Sequence, residues 1–136
     1  IDVLVRYYAE QARQSNIEFY TNIELPQEIA ISEPDICVIL GNLIENALEA
    51  CQRKKSGEKF IRICGKLINE NSISITIDNS CDEKPIKEGK EYRSSKRNEV
   101  GIGLISVKNI VEKYDGITDF KYENGVFFAS ILLNTT

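Results

Sequence analysis

The chain contains no histidine, no tryptophan and no methionine among its 136 residues. Without histidine it cannot form a Ser-His or Cys-His catalytic pair within itself, and the commonest zinc ligand is missing. Its four cysteines, Cys37, Cys51, Cys64 and Cys81, include no Cys-x-x-Cys pair and make no dense framework. A reducing, cytoplasmic compartment is therefore expected. Cys37 and Cys51 fall inside an apolar helical pattern, where a thiol behaves as a small hydrophobe. No apolar run approaches the ~20 residues needed to span a bilayer, no signal-peptide pattern is visible, and no direct membrane contact is expected. Basic excess is also lacking: 17 Lys and Arg stand against 21 Asp and Glu, a net charge of −4. Arg53-Lys54-Lys55 reads as a solvated helix end, so binding along a nucleic-acid backbone is not expected. The first residue is Ile1 and not Met, which points to a piece of something larger.

What is present is ordinary for one folded unit: 42% hydrophobic and 28% charged residues, enough for a single core spanning 1–136. Val3 to Ser15 carries apolar residues at helical spacing and stops at Ser15-Asn16. Ile17 to Tyr20 alternates like a strand that Leu25-Pro26 closes. Ser32 reads as an N-cap, with Pro34 in the first turn and Asp35 as a capping-box variant, so a long helix is expected from about Glu33 to Arg53. Phe60 to Ile68 and Ile73 to Ile77 alternate around Asn69-Glu70-Asn71, a hairpin pattern. Between Ser80 and Asn98 there is little apolar periodicity, and the stretch reads as a functional loop or lid. Gly101-Ile102-Gly103 is expected to open a second amphipathic helix that Asp115-Gly116 ends. Thr118 to Tyr122 and Val126 to Leu133 flank Asn124-Gly125, a preferred hairpin turn. Helices interleaved with hairpins predict an α+β two-layer fold, a mixed sheet of about five strands on about three helices.

Three constellations carry possible chemistry. At about 100° per residue, Asn42, Glu45, Asn46 and Glu49 fall on one side of the long helix, and Ile36, Ile39, Leu40, Leu43, Ile44 and Ala47 fill the rest. An amide oxygen suits Mg²⁺, which keeps waters and takes other oxygens from phosphates; taken alone, the stripe equally fits a face turned to water. Gly101 and Gly103 would let backbone approach a phosphate at a helix start, with Ser94, Ser95 and Lys96 adding hydroxyls and a cation nearby, although most Gly-x-Gly sequences are only turns. Along Ile73 to Asn79, Asn79 shares the face of Ile73, Ile75 and Ile77, while Asp78 points the other way. An inward Asn could both donate to and accept from an adenine edge, but an Asn ending a strand is more often a turn residue.

In order and spacing these resemble the nucleotide site of the GHKL ATPase superfamily, and within it the ATP-binding catalytic domain of sensor histidine kinases. The family's N-L-x-x-N-A box reads Asn42-Leu43-Ile44-Glu45-Asn46-Ala47, and its G-x-G-L box reads Gly101-Ile102-Gly103-Leu104. The string from Ile39 through Ala50 looks most like the peptide-pheromone sensor kinases of the accessory-gene-regulator type, which serve quorum sensing. The resemblance implies a Bergerat-type ATP-binding fold, with Mg²⁺ on Asn46 and a phosphate-side contact from Asn42. Gly101, Ile102, Gly103 and Leu104 would form the phosphate cradle, and Ser94, Ser95 and Lys96 would belong to an ATP lid over 80–100. The family's Asp-x-Gly-x-Gly box is absent; Asn79-Ser80-Cys81-Asp82-Glu83 stands there. By strand phase Asn79 takes the adenine-contacting slot, with Asp78 and Asp82 as rivals. Glu49 stands where many of these kinases place a basic residue.

The activity implied is transfer of the γ-phosphoryl group of Mg·ATP to a histidine, which depends on positioning and charge neutralisation more than on covalent chemistry. With no histidine present, the acceptor would lie on a dimerisation and histidine-phosphotransfer domain of the same kinase, which passes the group to a response regulator. Residues 1–15 would form the joint to that domain, and the parent kinase would be anchored in the cell membrane. An ATP hydrolase of the same superfamily would place a Glu four residues before Asn46, where this chain has Asn42. An anti-sigma serine kinase is the other alternative, separated by acid-stable phosphate on its acceptor.

Overall fold

The computed structural model describes residues 1–82, 86–88, 91–93 and 98–135. Helix α1 runs from Asp2 to Gln14. It ends because Asn16 turns to φ 57°, which lets the N–H groups of Asn16 and Ile17 return to the Arg13 and Ala12 carbonyls at 3.1 and 2.9 Å. Strand β1 (Glu18–Glu24) follows, then α2 (Glu33–Arg53), with the bounds that the Ser32 cap and the Lys-Lys-Ser-Gly stop predict. The Ser32 hydroxyl accepts the Asp35 N–H at 3.2 Å. The Asp35 carboxylate completes the cap indirectly: the Tyr114 hydroxyl donates to it and accepts the Ser32 N–H at 3.2 Å. Asp35 also takes the Lys113 ammonium at 3.0 Å, so the start of α2 is tied to the end of the third helix.

Strands β2 (Phe60–Asn69) and β3 (Ser72–Ser80) form the expected hairpin, with a bulge between Leu67 and Asn69. Beyond β3 the chain is more regular than its composition predicts. Short strands β4 (Ile86–Glu88) and β5 (Glu91–Arg93) pair, and α3 occupies Asn98–Lys113. Helix α3 therefore begins three residues before Gly101, and the Gly-x-Gly lies within the helix instead of opening it. Strands β6 (Ile117–Glu123) and β7 (Val126–Asn134) complete the chain, joined by Asn124 and Gly125 at φ 50° and 78°. Two successive positive φ values are what a tight hairpin turn of this hand requires.

Five strands make one sheet in the order β1-β2-β3-β7-β6. Only β1 and β2 are parallel, joined by α2 as the crossover; the other pairs are antiparallel. The core lies between one sheet face and the helices. Ile73, Ile75 and Ile77 of β3 lie beside Ile131 and Ala129 of β7 and Ile63 of β2, and meet Ile36, Ile39, Leu40, Leu43, Ile44 and Ala47 of α2. This is the α+β sandwich of five mixed strands and three helices that the element order predicts. Of the described glycines, Gly116 leaves least room: a Cβ there would sit 2.1 Å from the Leu132 carbonyl oxygen and 2.9 Å from Val111. Among the described residues no helix is long and apolar enough to cross a membrane.

Candidate functional site

The polar side of α2 divides between its two helical neighbours. Toward α1, the Tyr8 hydroxyl donates to the Glu45 carboxylate at 2.8 Å, and Tyr8 and Leu4 lie over Gly41. Burial, then the hydrogen bond to Glu45, pushes the Tyr8 phenol well above its usual pKa. Glu45 is exposed and engaged by Tyr8 on the α1 side. Toward α3, the Asn42 side chain lies against Gly103: a Cβ on that glycine would be 3.0 Å from Asn42 Oδ1. Asn42 is fixed from behind by its Nδ2, which donates to the Val38 carbonyl one turn back at 2.9 Å. The Asn46 side chain, one turn on and half-buried, has no hydrogen-bond partner among the described residues. Glu49 is half-buried and lies 3.9 Å from Arg53.

The strand phase holds. Asn79 is 3% exposed on the helix-facing side of β3, in register with Ile61 and Phe127. Asp78 occupies the other face opposite Arg62; burial raises its carboxyl, and the Arg62 charge pulls it part of the way back. Asp82 is bound elsewhere: Lys54 donates to it at 3.0 Å and the Lys55 N–H at 2.9 Å, which holds its carboxyl below the usual range. Of the three rivals for one position, only Asn79 faces α2 from inside. Cys81 is buried, its thiol raised by desolvation, and its N–H donates to the Gly125 carbonyl at 2.9 Å.

Asn42 is thus brought onto Gly103 between α2 and α3, Asn46 follows it one turn further along α2, and Asn79 is buried beside Ser80, which Cys51 of α2 touches. Leu104 is 4% exposed, its side chain part of the core. Gly101 and Ile102 lie in α3. Ser94, Ser95 and Lys96 fall outside the described residues. Two features were not read from the sequence: Tyr8 on Glu45, and the contacts of Cys51 with Ser80. Both join residues far apart in the chain, and neither leaves a local signal beyond an Asn-Ser pair ending a strand.

The GHKL domain family matches residues 31–134, from the cap of α2 to the end of β7. The chain belongs to that family. It is 32% identical over 90 residues to the probable C4-dicarboxylate sensor kinase of Bacillus subtilis (strain 168); the match covers 63% of this chain and 17% of that protein. As a GHKL domain it therefore spans a small part of the curated relative. Its fold is that of histidine kinase catalytic domains. The catalytic domain of histidine kinase ThkA superimposes with a TM-score of 0.74 at 20% identity, covering 100% of this chain and 93% of that one. Full-length ShkA in complex with AMPPNP does so at 0.68 with 18% identity, covering 98% of this chain and 30% of the other.

Proposed function

We propose that this chain, 1–136, binds Mg·ATP as a single catalytic domain and transfers the γ-phosphoryl group to a histidine on a separate dimerisation domain. The observation that carries the reading is the contact of Asn42 with Gly103, which joins the asparagine helix to the glycine helix where only a residue without Cβ fits freely. The kinase name of the Bacillus subtilis relative and the nucleotide analogue held by ShkA support it.

The donor set fits a single Mg²⁺ held mainly by phosphates. Among the described residues no cluster of acidic, cysteine or histidine side chains could enclose a metal. Asn46 offers one unpartnered amide oxygen, which suits a cation that takes few protein ligands. When bound, the metal would neutralise phosphate charge. The chain's own work is positional: Asn46 orients the metal end and Asn42, locked onto Val38, presents its amide oxygen beside Gly103. Asn79 presents a buried amide to the adenine, and Ser94, Ser95 and Lys96 belong to the lid over 80–100. Gly101 and Ile102 bring the first turns of α3 to the phosphates, and Leu104 anchors that helix in the core. Hydrolysis would need a base to activate water, and Glu45 is engaged by Tyr8 on the α1 side.

The partners are the dimerisation and histidine-phosphotransfer domain of the same kinase, reached through residues 1–15, and a response regulator beyond it. The reading places the domain in the cytoplasm, with the parent kinase anchored in the cell membrane. The Ile39–Ala50 string and Asn79 in the base slot favour the peptide-pheromone subgroup and quorum sensing. The test is titration with a fluorescent adenine nucleotide with and without Mg²⁺. Asn46→Ala should abolish Mg-dependent binding and leave the unfolding midpoint nearly unchanged, because a half-buried amide with no protein partner contributes little to folding. Unaltered affinity in that variant removes the metal assignment.

A further inference from the structure

Behind Asn79 lies a small buried network. Asn79 Nδ2 donates to the Ser80 carbonyl oxygen at 3.0 Å. The single Cys51 thiol proton is shared between the Phe60 carbonyl at 3.4 Å and that same Ser80 carbonyl at 3.5 Å, and the sulfur lies 3.5 Å from the Ser80 hydroxyl. That hydroxyl accepts the Phe60 N–H at 3.0 Å, which pins it between β2 and β3. Cys51 is fully buried, and desolvation raises its thiol, so the S–H keeps the proton it donates.

The two ends of a carboxamide have opposite chemistry. Turning Asn79 over would set its oxygen against the Ser80 carbonyl in a site closed to water, which is costly. The nitrogen end is therefore committed, and among the described residues nothing bonds Asn79 Oδ1. A carboxylate at this position would have no N–H for Ser80 and would bury a charge against its carbonyl. The backbone here is matched to an amide and not to the acid that the family pattern usually has.

Resting on the reading that this site takes a nucleotide, we propose that Ser80 and Cys51 are positioning residues that hold Asn79 with its amide oxygen outward. The site then selects a base that offers a donor, the 6-amino group of adenine, over one that offers a 6-oxo acceptor. Ser80 acts through its carbonyl, and Cys51, whose thiol spans the Phe60 and Ser80 carbonyls, ties that carbonyl to the start of β2.

The test compares ATP with inosine triphosphate, which has oxygen in place of the amino group, by titration with Mg²⁺ on the 136-residue chain. The wild type should prefer ATP. Cys51→Ala should reduce that preference roughly threefold, the lower end of what one lost hydrogen bond does. Cys51→Ser keeps a donor and should retain the preference. An ATP-to-ITP ratio unchanged in Cys51→Ala, or an equal loss for both nucleotides, overturns the positioning role. A second readout needs no variant: in the nucleotide-free wild type, one side-chain N–H of Asn79 should be protected from hydrogen exchange. Equal, fast exchange of both protons overturns the proposal. A wild type that binds neither nucleotide overturns the ATP reading and the selectivity with it, while the protection of Asn79 is still read separately.

Discussion

Replacing Gly103 by alanine isolates the contact that joins α2 to α3. The new Cβ would lie 3.0 Å from Asn42 Oδ1, whereas a carbon and a carbonyl oxygen normally rest roughly 3.3–3.6 Å apart. The atom that must yield is the end of a side chain, not backbone, so Asn42 swings aside and stretches or breaks its 2.9 Å bond to Val38. Losing that bond costs about 0.5–1.5 kcal/mol. Against it, alanine gains about 0.8–1.0 kcal/mol over glycine within a helix. The terms nearly cancel, and Gly103→Ala should change stability to chemical denaturation by less than about 1 kcal/mol. Nucleotide affinity should respond differently, because the displaced amide is the proposed phosphate-side contact. Hydrogen bonds to charged groups are worth about 1.5–3 kcal/mol, so Mg·ATP binding should weaken roughly 10- to 100-fold. The two measurements together are decisive: denaturant unfolding for the fold and a fluorescent-nucleotide titration for the site. Unchanged affinity would reduce the contact to packing, and a stability loss above about 2 kcal/mol would show that Asn42 cannot yield as argued.

Gly116→Ala is the contrasting case. The added carbon would meet the Leu132 backbone oxygen at 2.1 Å, and no side chain can move to relieve it. A loss of about 3 kcal/mol or more is expected from forced backbone shifts, read as a lower denaturant midpoint; a midpoint near wild type would contradict the close approach. Tyr8→Phe tests the α1–α2 link by pH. The folded state raises the Tyr8 phenol above its usual value of 10, so this contribution is complete below pH about 10 and is lost as pH climbs through the higher folded value. Wild-type stability should fall more steeply than that of Tyr8→Phe above pH 10, and parallel pH profiles for the two proteins would rule the link out.

The parts of the fold written in local chemistry were legible. Ser32, Pro34 and the Lys-Lys-Ser-Gly run set both ends of α2, and Asn124-Gly125 fixed the last hairpin. Strand alternation separated Asn79 from Asp78, since a period of two leaves no freedom about which face each takes. The stretch from Ser80 to Gly103 was less legible. Its short paired strands have too few residues to show a period, and two glycines concealed a helix that already begins at Asn98. Glycine is a poor helix residue on propensity alone, yet Gly103 lies in one because Asn42 needs the space a side chain would fill. Parallel pairing of β1 with β2, Tyr8 on Glu45, and the Cys51–Ser80–Asn79 chain are all non-local. A pattern read along one segment does not report what a distant segment lays against it.

The sheet's antiparallel turns lie at opposite ends, and the ends are unequal. At one, Cys81 bonds Gly125, and Phe60, Ser80 and Cys51 meet behind Asn79. At the other, Thr135 bonds Asn71, and Asn134 reaches back to the Asp115 carbonyl at 2.7 Å. A fluorophore, affinity tag or surface tether attached near Glu70 would stand the length of a strand from Asn79, the amide proposed to meet the base. The same attachment at Asn124 would press on its immediate surroundings, so immobilised assays of this domain should be built from the Glu70 side.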